Sequence, residues 1–147
     1  MGLILGLAGG ASAHSTDDWS YWENTAGFGY VGYSSSHVSG VYQRLDMWRY
    51  NNFMVLKGYA SDTSTDGYCA TIQITYETYD YTAGRWSGHW HTRDFGMADC
   101  GTGGTGDGVT YAYARSTYQF RNMYSRACHA DSSANIIHCE STWHGPI

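Results

Sequence analysis

The sequence contains few charged residues and few residues that favour helices. Lys57 is its only lysine, proline occurs once, and charged residues make up 14% of the 147 positions, against roughly a quarter in an average soluble domain. Only three glutamates are present, Glu23, Glu77 and Glu140. This composition argues against a helical fold, and the length fits a single domain. Ser, Thr, Asn, Gly and Tyr must cover most of the surface.

The charge balance excludes one class of partner and the hydropathy excludes one class of location. The net charge is −5 and the seven arginines are scattered without a basic run, whereas nucleic-acid binding needs clustered lysine and arginine. After the first residues, no stretch approaches the roughly 18 apolar residues of a membrane-spanning helix. We therefore predict no nucleic-acid partner and no membrane span.

The first residues are typical of a secretory signal. An apolar stretch, Gly2 to Gly10, is followed by Ala11-Ser12-Ala13, the small-x-small pattern that signal peptidase accepts, although a positively charged start is missing. We expect residues 1–13 to be a signal remnant cleaved before His14, and residues 14–147 to form one secreted domain. A buried first strand is the alternative interpretation.

Four cysteines agree with secretion, since disulfides persist in oxidising compartments. None of them lies in a C-x-x-C pattern, which disfavours a zinc ribbon or a thioredoxin-type site. Cys128 and Cys139 flank a polar turn, so the two thiols are expected to face each other across a hairpin. Cys69 and Cys100 then pair by default.

Period-two alternation is the main structural signal. In the stretch VYQRLDMWRY, one face carries Val41, Leu45 and Met47 and the other carries Arg44 and Asp46. The clearest alternation runs from position 68 to 81, where one face carries Tyr68, Ala70, Ile72, Ile74 and Tyr76.

About eight such segments follow one another, separated by turns, and predict an all-β antiparallel sandwich or flattened barrel. An arm or short edge strand is expected within residues 14–25, and residues 53–60 are expected to form a central strand. The predicted segments are 27–33, 41–50, 53–60, 68–81, 86–100, 109–118, 120–128 and 136–143.

The stretch CGTGGTG, which begins at Cys100, contains the pattern G-x-G-x-x-G of a dinucleotide-binding loop. That pattern works only when a helix follows and points its N-terminus at the pyrophosphate. Here Asp107-Gly108 is followed by the alternating strand that begins at Val109, so the nucleotide interpretation fails. We predict a flexible hairpin loop from Gly101 to Gly108.

Two patterns raise the question of a metal cofactor. Asp62, Ser64 and Asp66 precede Gly67 with the spacing of a calcium loop, but the twelfth position is Gln73 instead of glutamate. An ordinary turn rich in Asp and Ser explains the same residues.

His89 and His91 share one face of a predicted strand and can bind Zn²⁺ if a third ligand comes from a neighbouring strand. The simpler interpretation is a polar outer face, with Trp86 and Trp90 packed inward. The sequence therefore requires no cofactor and leaves calcium and zinc as alternatives.

The surplus of aromatic residues is the main functional signal. The 14 Tyr, 6 Trp and 4 Phe exceed what one core of this size can hide, so some must offer exposed stacking faces beside polar neighbours. An alternative role is to cap the ends of the sandwich for stability. The candidate ligand-binding residues are Trp19, Tyr21, Trp22, Tyr42, Trp48 and Tyr50.

These features favour a secreted, non-enzymatic binding protein or accessory subunit that recognises an extracellular protein or a surface glycan through exposed Tyr and Trp. A carbohydrate-binding module in the strict sense is one alternative and predicts a coplanar row of rings. A small secreted hydrolase or antibacterial effector is another, and predicts a cleft that joins His89 or His91 to Asp94 or Glu77. An enzyme inhibitor with a rigid loop ranks last, because the glycine loop is too flexible.

Overall fold

The computed structural model describes residues 18–101 and 109–147, so the predicted signal segment 1–13 and most of the glycine loop lie outside the described residues. The described residues form nine β-strands and no helix. The strands are β1 (Trp19–Tyr21), β2 (Gly29–Val38), β3 (Val41–Tyr50), β4 (Phe53–Asp62), β5 (Cys69–Asp80), β6 (Arg85–Asp94), β7 (Val109–Ser116), β8 (Phe120–Ala130) and β9 (Ile136–Cys139).

Two antiparallel sheets pack face to face, which confirms the predicted sandwich. One sheet has five strands in the order β1-β7-β4-β3-β2, and the other has four in the order β6-β5-β8-β9. The strand β4 lies in the middle of its sheet, as its apolar sequence predicts. None of the residues that the structure describes belongs to a long apolar helix of the kind that crosses a bilayer.

Two details of the predicted strand pattern are wrong. The segment from Trp86 ends as a strand at Asp94, not at Cys100. The loop after Cys100 is not a hairpin, because β6 and β7 belong to different sheets. The rejection of a nucleotide loop stands, since β7 begins at Val109 and no helix follows the described part of the loop.

The core lies where the alternation places it. On β3, Val41, Leu45 and Met47 are buried, and on β5 the same holds for Ala70, Ile72, Ile74 and Tyr76. Tyr68 is exposed because it precedes the first residue of β5. Period two therefore identifies the inward face of both strands.

One polar side chain interrupts this apolar face. Gln43 is fully buried on β3, and its amide donates to Ser36 at 3.1 Å and to Ser125 at 2.9 Å. Ser36 in turn donates to the carboxylate of Glu140, which also accepts the backbone amide of Ala127 at 2.8 Å. This network joins the two sheets by hydrogen bonds that satisfy buried donors.

Both predicted disulfides are present. Cys128 and Cys139 are register partners across β8 and β9 and form one bridge. Cys69 and Cys100 form the other and are 31 residues apart in sequence. The Cys69–Cys100 bridge links the start of β5 to the chain that precedes β7. The Cys128–Cys139 bridge links β8 to β9, the last strand.

Gly58 tests how tightly the sheets pack. A methyl group at this position would lie 2.7 Å from Cε2 of Phe95 and 3.0 Å from Cδ1 of Ile72, both of which are buried side chains. We expect Gly58→Ala to lower the free energy of unfolding by about 1–3 kcal/mol, because overpacking forces neighbours from their rotamers. Urea unfolding measures the change.

Gly29→Ala is the matched control. Its added methyl group meets only the Arg49 carbonyl oxygen at 4.0 Å, so its stability should stay unchanged or rise slightly. Equal losses in both variants would contradict the close packing of the two sheets at Gly58.

Candidate functional site

The outer surface of the five-stranded sheet is rich in aromatic side chains. The alternation that turns Leu45 and Met47 inward turns Trp48 outward, and the strand register places the outward residues of β2, β3, β4 and β7 side by side. We call this surface the aromatic face. Its rings are those of Tyr30, Tyr33, Tyr42, Trp48, Tyr50, Tyr59, Tyr111 and Tyr113.

The rings of the aromatic face are tilted against each other. Tyr42 and Tyr59 have centroids 6.0 Å apart at 58°, and Tyr59 and Tyr111 have centroids 5.0 Å apart at 37°. Tyr30 meets Trp48 edge-on at 5.2 Å and 64°. The coplanar row expected of a carbohydrate-binding module in the strict sense is therefore absent from these pairs.

A charged group lies at the centre of the aromatic face. The Arg44 guanidinium donates to both oxygens of Asp46 at 2.9 Å, and the Tyr30 hydroxyl donates to the same carboxylate at 2.8 Å. Burial alone raises the pKa of Asp46. The hydrogen bonds and charge of Arg44, the Tyr30 hydrogen bond and the charge of Lys57 outweigh that effect and keep the pKa below its usual range. Asp46 is thus held in its charged form, and its carboxylate accepts three hydrogen bonds.

Lys57 lies directly opposite Asp46 on β4 and opposite Tyr113 on β7. Its ammonium is 5.2 Å from the ring centroid of Tyr111 and 5.7 Å from that of Tyr113. Within residues 18–101 and 109–147, no hydrogen bond or ion pair joins this ammonium to another side chain. Its three donors are therefore open to a ligand.

These groups surround a shallow cavity of about 520 Å³, within the size range of small-ligand sites. Half or more of the side chain is exposed in both Tyr30 (51%) and Tyr111 (56%), which stand at its walls. The residues that line it are Tyr30, Arg44, Asp46, Trp48, Lys57, Tyr59 and Tyr111.

A second depression continues the aromatic face towards β1. It measures about 400 Å³ and is lined by Gly27, Phe28, Tyr50, Phe53 and Arg115. The Arg115 guanidinium lies 5.3 Å from the Phe28 ring centroid and 4.6 Å from that of Trp22, which is cation–π contact distance. The two depressions give the face room for an extended ligand.

The six aromatic residues predicted to bind ligand separate into three groups. Tyr42, Trp48 and Tyr50 lie on the aromatic face, and Trp22 joins its edge through Arg115. Tyr21 is 50% exposed but points to the opposite side of the sheet, since its register partner is the buried Ala114.

Trp19 is not an exposed aromatic residue, contrary to the expectation from the sequence. It is only 6% exposed and packs on Tyr76 and Phe120 with centroids 5.4 and 5.3 Å away. Its indole also donates to the Tyr76 hydroxyl at 3.0 Å. Trp19 is a core residue because it begins the short strand β1 at the inner side of the sheet.

Sequence reasoning missed Tyr30, Lys57, Tyr59 and Tyr111 as members of the site. Lys57 and Tyr59 alternate with buried residues on β4, and this signal was available in the sequence. The strand order that places β4 between β3 and β7 was not. Without that order, residues from three separate segments cannot be assigned to one surface.

Neither metal hypothesis gains a complete ligand set. The carboxylate of Asp62 accepts the backbone amide of Ser64 at 3.2 Å, and that of Asp66 accepts the amide of Tyr68 at 3.0 Å, as in ordinary turns. Across the described ranges there is no group of three His, Cys, Asp or Glu side chains arranged to hold a metal ion.

The predicted orientation of β6 is wrong. His91 and Arg93 are buried on its inward side, and Trp90 is exposed at 44% on the outward side. The rings of His89 and His91 are 5.2 Å apart. The two imidazoles therefore lie close together, but His89 is exposed and His91 is not.

A histidine–carboxylate pair exists, with a partner other than those expected. His91 Nδ1 lies 2.7 Å from the Asp18 carboxylate, which also accepts Tyr76 at 2.6 Å and Arg93 at 3.3 Å. A cavity of about 610 Å³ adjoins it and is lined partly by Asp18, His89 and His91. This arrangement keeps the hydrolase alternative open as a hypothesis.

Glu77 does not take part in this arrangement. Its carboxylate accepts Arg121 at 2.8 Å, Asn122 at 3.2 Å and the Gly88 amide at 3.0 Å. The Arg121 hydrogen bond is the main cause that holds the pKa of Glu77 below its ordinary range. Asp94 likewise accepts the amide of Gln73 at 3.0 Å. Both carboxylates serve strand-to-strand contacts.

Comparisons of the chain with protein-family models, with curated proteins and with solved structures found no match.

Proposed function

We propose that this protein binds a glycan through the aromatic face. The observation that carries the proposal is the cavity of about 520 Å³, where exposed tyrosine rings stand beside an ammonium, a guanidinium–carboxylate pair and phenolic hydroxyls. Sugar rings offer both an apolar face and a periphery of hydroxyls. The cavity supplies a partner for each, through ring stacking and directed hydrogen bonds.

The chemistry of the cavity favours a glycan over a protein partner. The centres of protein–protein interfaces are depleted in lysine and aspartate, whereas Lys57 and Asp46 lie at the centre of this surface. A glycan can exchange its hydration for these hydrogen bonds without burying an apolar core. The glycan interpretation therefore uses the groups that a protein interface would have to desolvate at a cost.

The tilt of the rings favours short lengths of a flexible chain over a flat crystalline polysaccharide. A planar surface needs rings in one plane, and the angles of 37° between Tyr59 and Tyr111 and 64° between Tyr30 and Trp48 do not provide one. Single sugar units can instead stack on single rings. The shallow cavity supports this mode of binding.

The proposal places the protein outside the cell. Two disulfides are compatible with that location, because such bonds form and persist in oxidising compartments. A glycan at a cell surface or in an extracellular matrix is then within reach.

We expect Tyr111→Ala and Trp48→Ala each to weaken polysaccharide binding roughly tenfold, because each removes a stacking surface from the cavity. Tyr111 is more than half exposed, so its replacement leaves the core intact. Native affinity electrophoresis in gels that contain soluble β-glucan, xylan or polygalacturonate measures retention.

Tyr21→Ala is the matched control, since Tyr21 is about equally exposed but points away from the aromatic face. Its retention should equal that of the wild type. Retention that is unchanged in Tyr111→Ala and Trp48→Ala, or lost equally in Tyr21→Ala, would contradict the proposed site. Failure of the wild type to bind any of the three polysaccharides would contradict the proposed function.

A further inference from the structure

We infer that the glycan is acidic, and that Lys57 and Arg115 receive the carboxylates of its uronic acid residues. This inference rests on the proposed function and names the ligand class of the same face. It follows from how charge is distributed over that face.

The aromatic face carries a local excess of positive charge. Arg44 and Asp46 neutralise each other through two hydrogen bonds, and Tyr30 occupies further acceptor capacity of the carboxylate. Lys57 and Arg115 make cation–π contacts, and in the part of the chain that the structure describes neither forms an ion pair with a carboxylate. Two cations are thus available on a protein whose net charge is −5.

The strand register places these two residues near each other in the sheet. Lys57 pairs with Tyr113 and Val55 pairs with Arg115, so Lys57 and Arg115 are diagonal neighbours on β4 and β7. Diagonal neighbours in a sheet are roughly 7–8 Å apart. One extended chain that follows the two depressions therefore passes both cations.

Lys57 is also placed for a sugar that stacks on Tyr111. The ammonium lies 5.2 Å from the Tyr111 ring centroid, close enough to meet a substituent at the edge of a stacked pyranose. The side chain of Lys57 is partly buried among rings, which lowers the local dielectric and strengthens its attraction to an anion. The Tyr111 ring positions the sugar by stacking, and the Lys57 ammonium favours a sugar that carries a negative charge.

The rest of the molecule favours carboxylates over sulfate esters. Recognition of densely sulfated chains relies on clusters of basic residues, and this chain has eight basic residues against 13 acidic ones. A polymer with one carboxylate per sugar meets these two cations with less repulsion from a protein of net charge −5. We therefore commit to uronic acid residues as the source of the negative charge.

The test compares polygalacturonate with its fully methyl-esterified form, which has the same backbone without the carboxylate charges. We expect the wild type to bind the free acid about tenfold more tightly in isothermal titration calorimetry. Lys57→Gln should lose roughly tenfold in affinity for the free acid and little for the ester, because a charge-assisted hydrogen bond is removed. Lys57→Arg should retain most of the preference, and Arg115→Gln should lose part of it.

Arg85→Gln is the control for net charge, since Arg85 is exposed on β6 in the other sheet. It should leave the preference for the acid unchanged. Sodium chloride should weaken binding of the acid more in the wild type than in Lys57→Gln. Salt screens the attraction between Lys57 and a carboxylate, and the variant already lacks that attraction.

Three results would overturn the inference. Equal affinity for acid and ester, while Tyr111→Ala still weakens binding, would leave glycan binding in place and show that the ligand need not be acidic. Tighter binding of dextran sulfate than of polygalacturonate at equal charge concentration would show that carboxylates are not the preferred anionic groups. Binding of neither form, nor of β-glucan and xylan, overturns the proposed function together with the inference.

Discussion

Asp18→Asn is expected to lower the free energy of unfolding by about 3–5 kcal/mol, the cost of removing one member of a buried charge cluster. The Asp18 carboxylate is 4% exposed and accepts hydrogen bonds from Tyr76, His91 and Arg93 at distances of 2.6, 2.7 and 3.3 Å. Asparagine keeps the volume but removes the charge on which these donors converge. The Arg93 guanidinium, itself 6% exposed, is then left with less compensation.

The loss should depend on pH in a defined direction. Burial by itself raises the pKa of Asp18, but hydrogen bonds from His91 and Tyr76, with the charges of His91 and Arg93, bring that pKa below its ordinary value of 3.8. A carboxyl whose pKa is depressed by folding contributes its full stability above its unfolded value and loses it as the pH falls through the folded value. The difference between wild type and Asp18→Asn should therefore be present above the unfolded value of 3.8 and shrink as the pH falls below it.

Urea unfolding across this pH range measures both effects. Asp66→Asn is the control, because Asp66 is exposed and the Asn side-chain oxygen can still accept the Tyr68 amide. The free energy of unfolding of Asp66→Asn should stay within about 0.5 kcal/mol of the wild-type value. A loss of less than 1 kcal/mol in Asp18→Asn, or a loss that does not change with pH, would show that the cluster does not support the fold.

Removal of the Cys69–Cys100 disulfide by a double alanine substitution is expected to cost about 4 kcal/mol. The two cysteines are 31 residues apart, and closing a loop of that length restricts the unfolded chain by about this amount. The folded state should keep its local register, because Ala70 and Asp99 exchange backbone hydrogen bonds of 2.8 and 2.9 Å beside the bridge.

The Cys128–Cys139 disulfide closes a loop of 11 residues, so its removal should lower the free energy of unfolding by about 3 kcal/mol through the added entropy of the unfolded chain.

The m-value, the slope of unfolding free energy against urea concentration, separates an effect on the unfolded chain from damage to the folded one. Loss of the disulfide that closes the longer loop, Cys69–Cys100, should raise the m-value, because more surface is exposed on unfolding. An unchanged slope with altered circular dichroism would contradict this account and indicate damage to the folded state.

The sequence predicted the fold because strand alternation and cysteine position are local signals. Leu45, Met47, Ile72 and Ile74 follow the period of two into the core, and the polar turn between Cys128 and Cys139 implies their hairpin. These features depend on neighbours within one or two strands. They required no knowledge of how the two sheets are arranged.

The orientation of β6 could not be predicted in the same way. Alternation separates Trp90 from His91 and Arg93, but it does not say which side is inward. Hydrophobicity favours the tryptophan, and the structure places the two polar residues inside because Asp18 meets them there. That contact joins residues 73 and 75 positions apart, and no local pattern encodes it.

The candidate site was predicted only in part for a related reason. Trp48 and Tyr50 were identified as exposed aromatics on one strand, whereas Lys57 and Tyr111 come from two others. Their assembly depends on the strand order of the five-stranded sheet. Composition indicated that exposed aromatics exist, and topology decided which of them share a surface.

The most direct test of acidic-glycan binding at the aromatic face is a heteronuclear NMR titration of the isotope-labelled protein with a short galacturonate oligomer. We expect shift changes on β3, β4 and β7 around Trp48, Lys57 and Tyr111, saturating together with one dissociation constant. Shift changes confined to the cavity beside Asp18 and His91, or none at all, would contradict it.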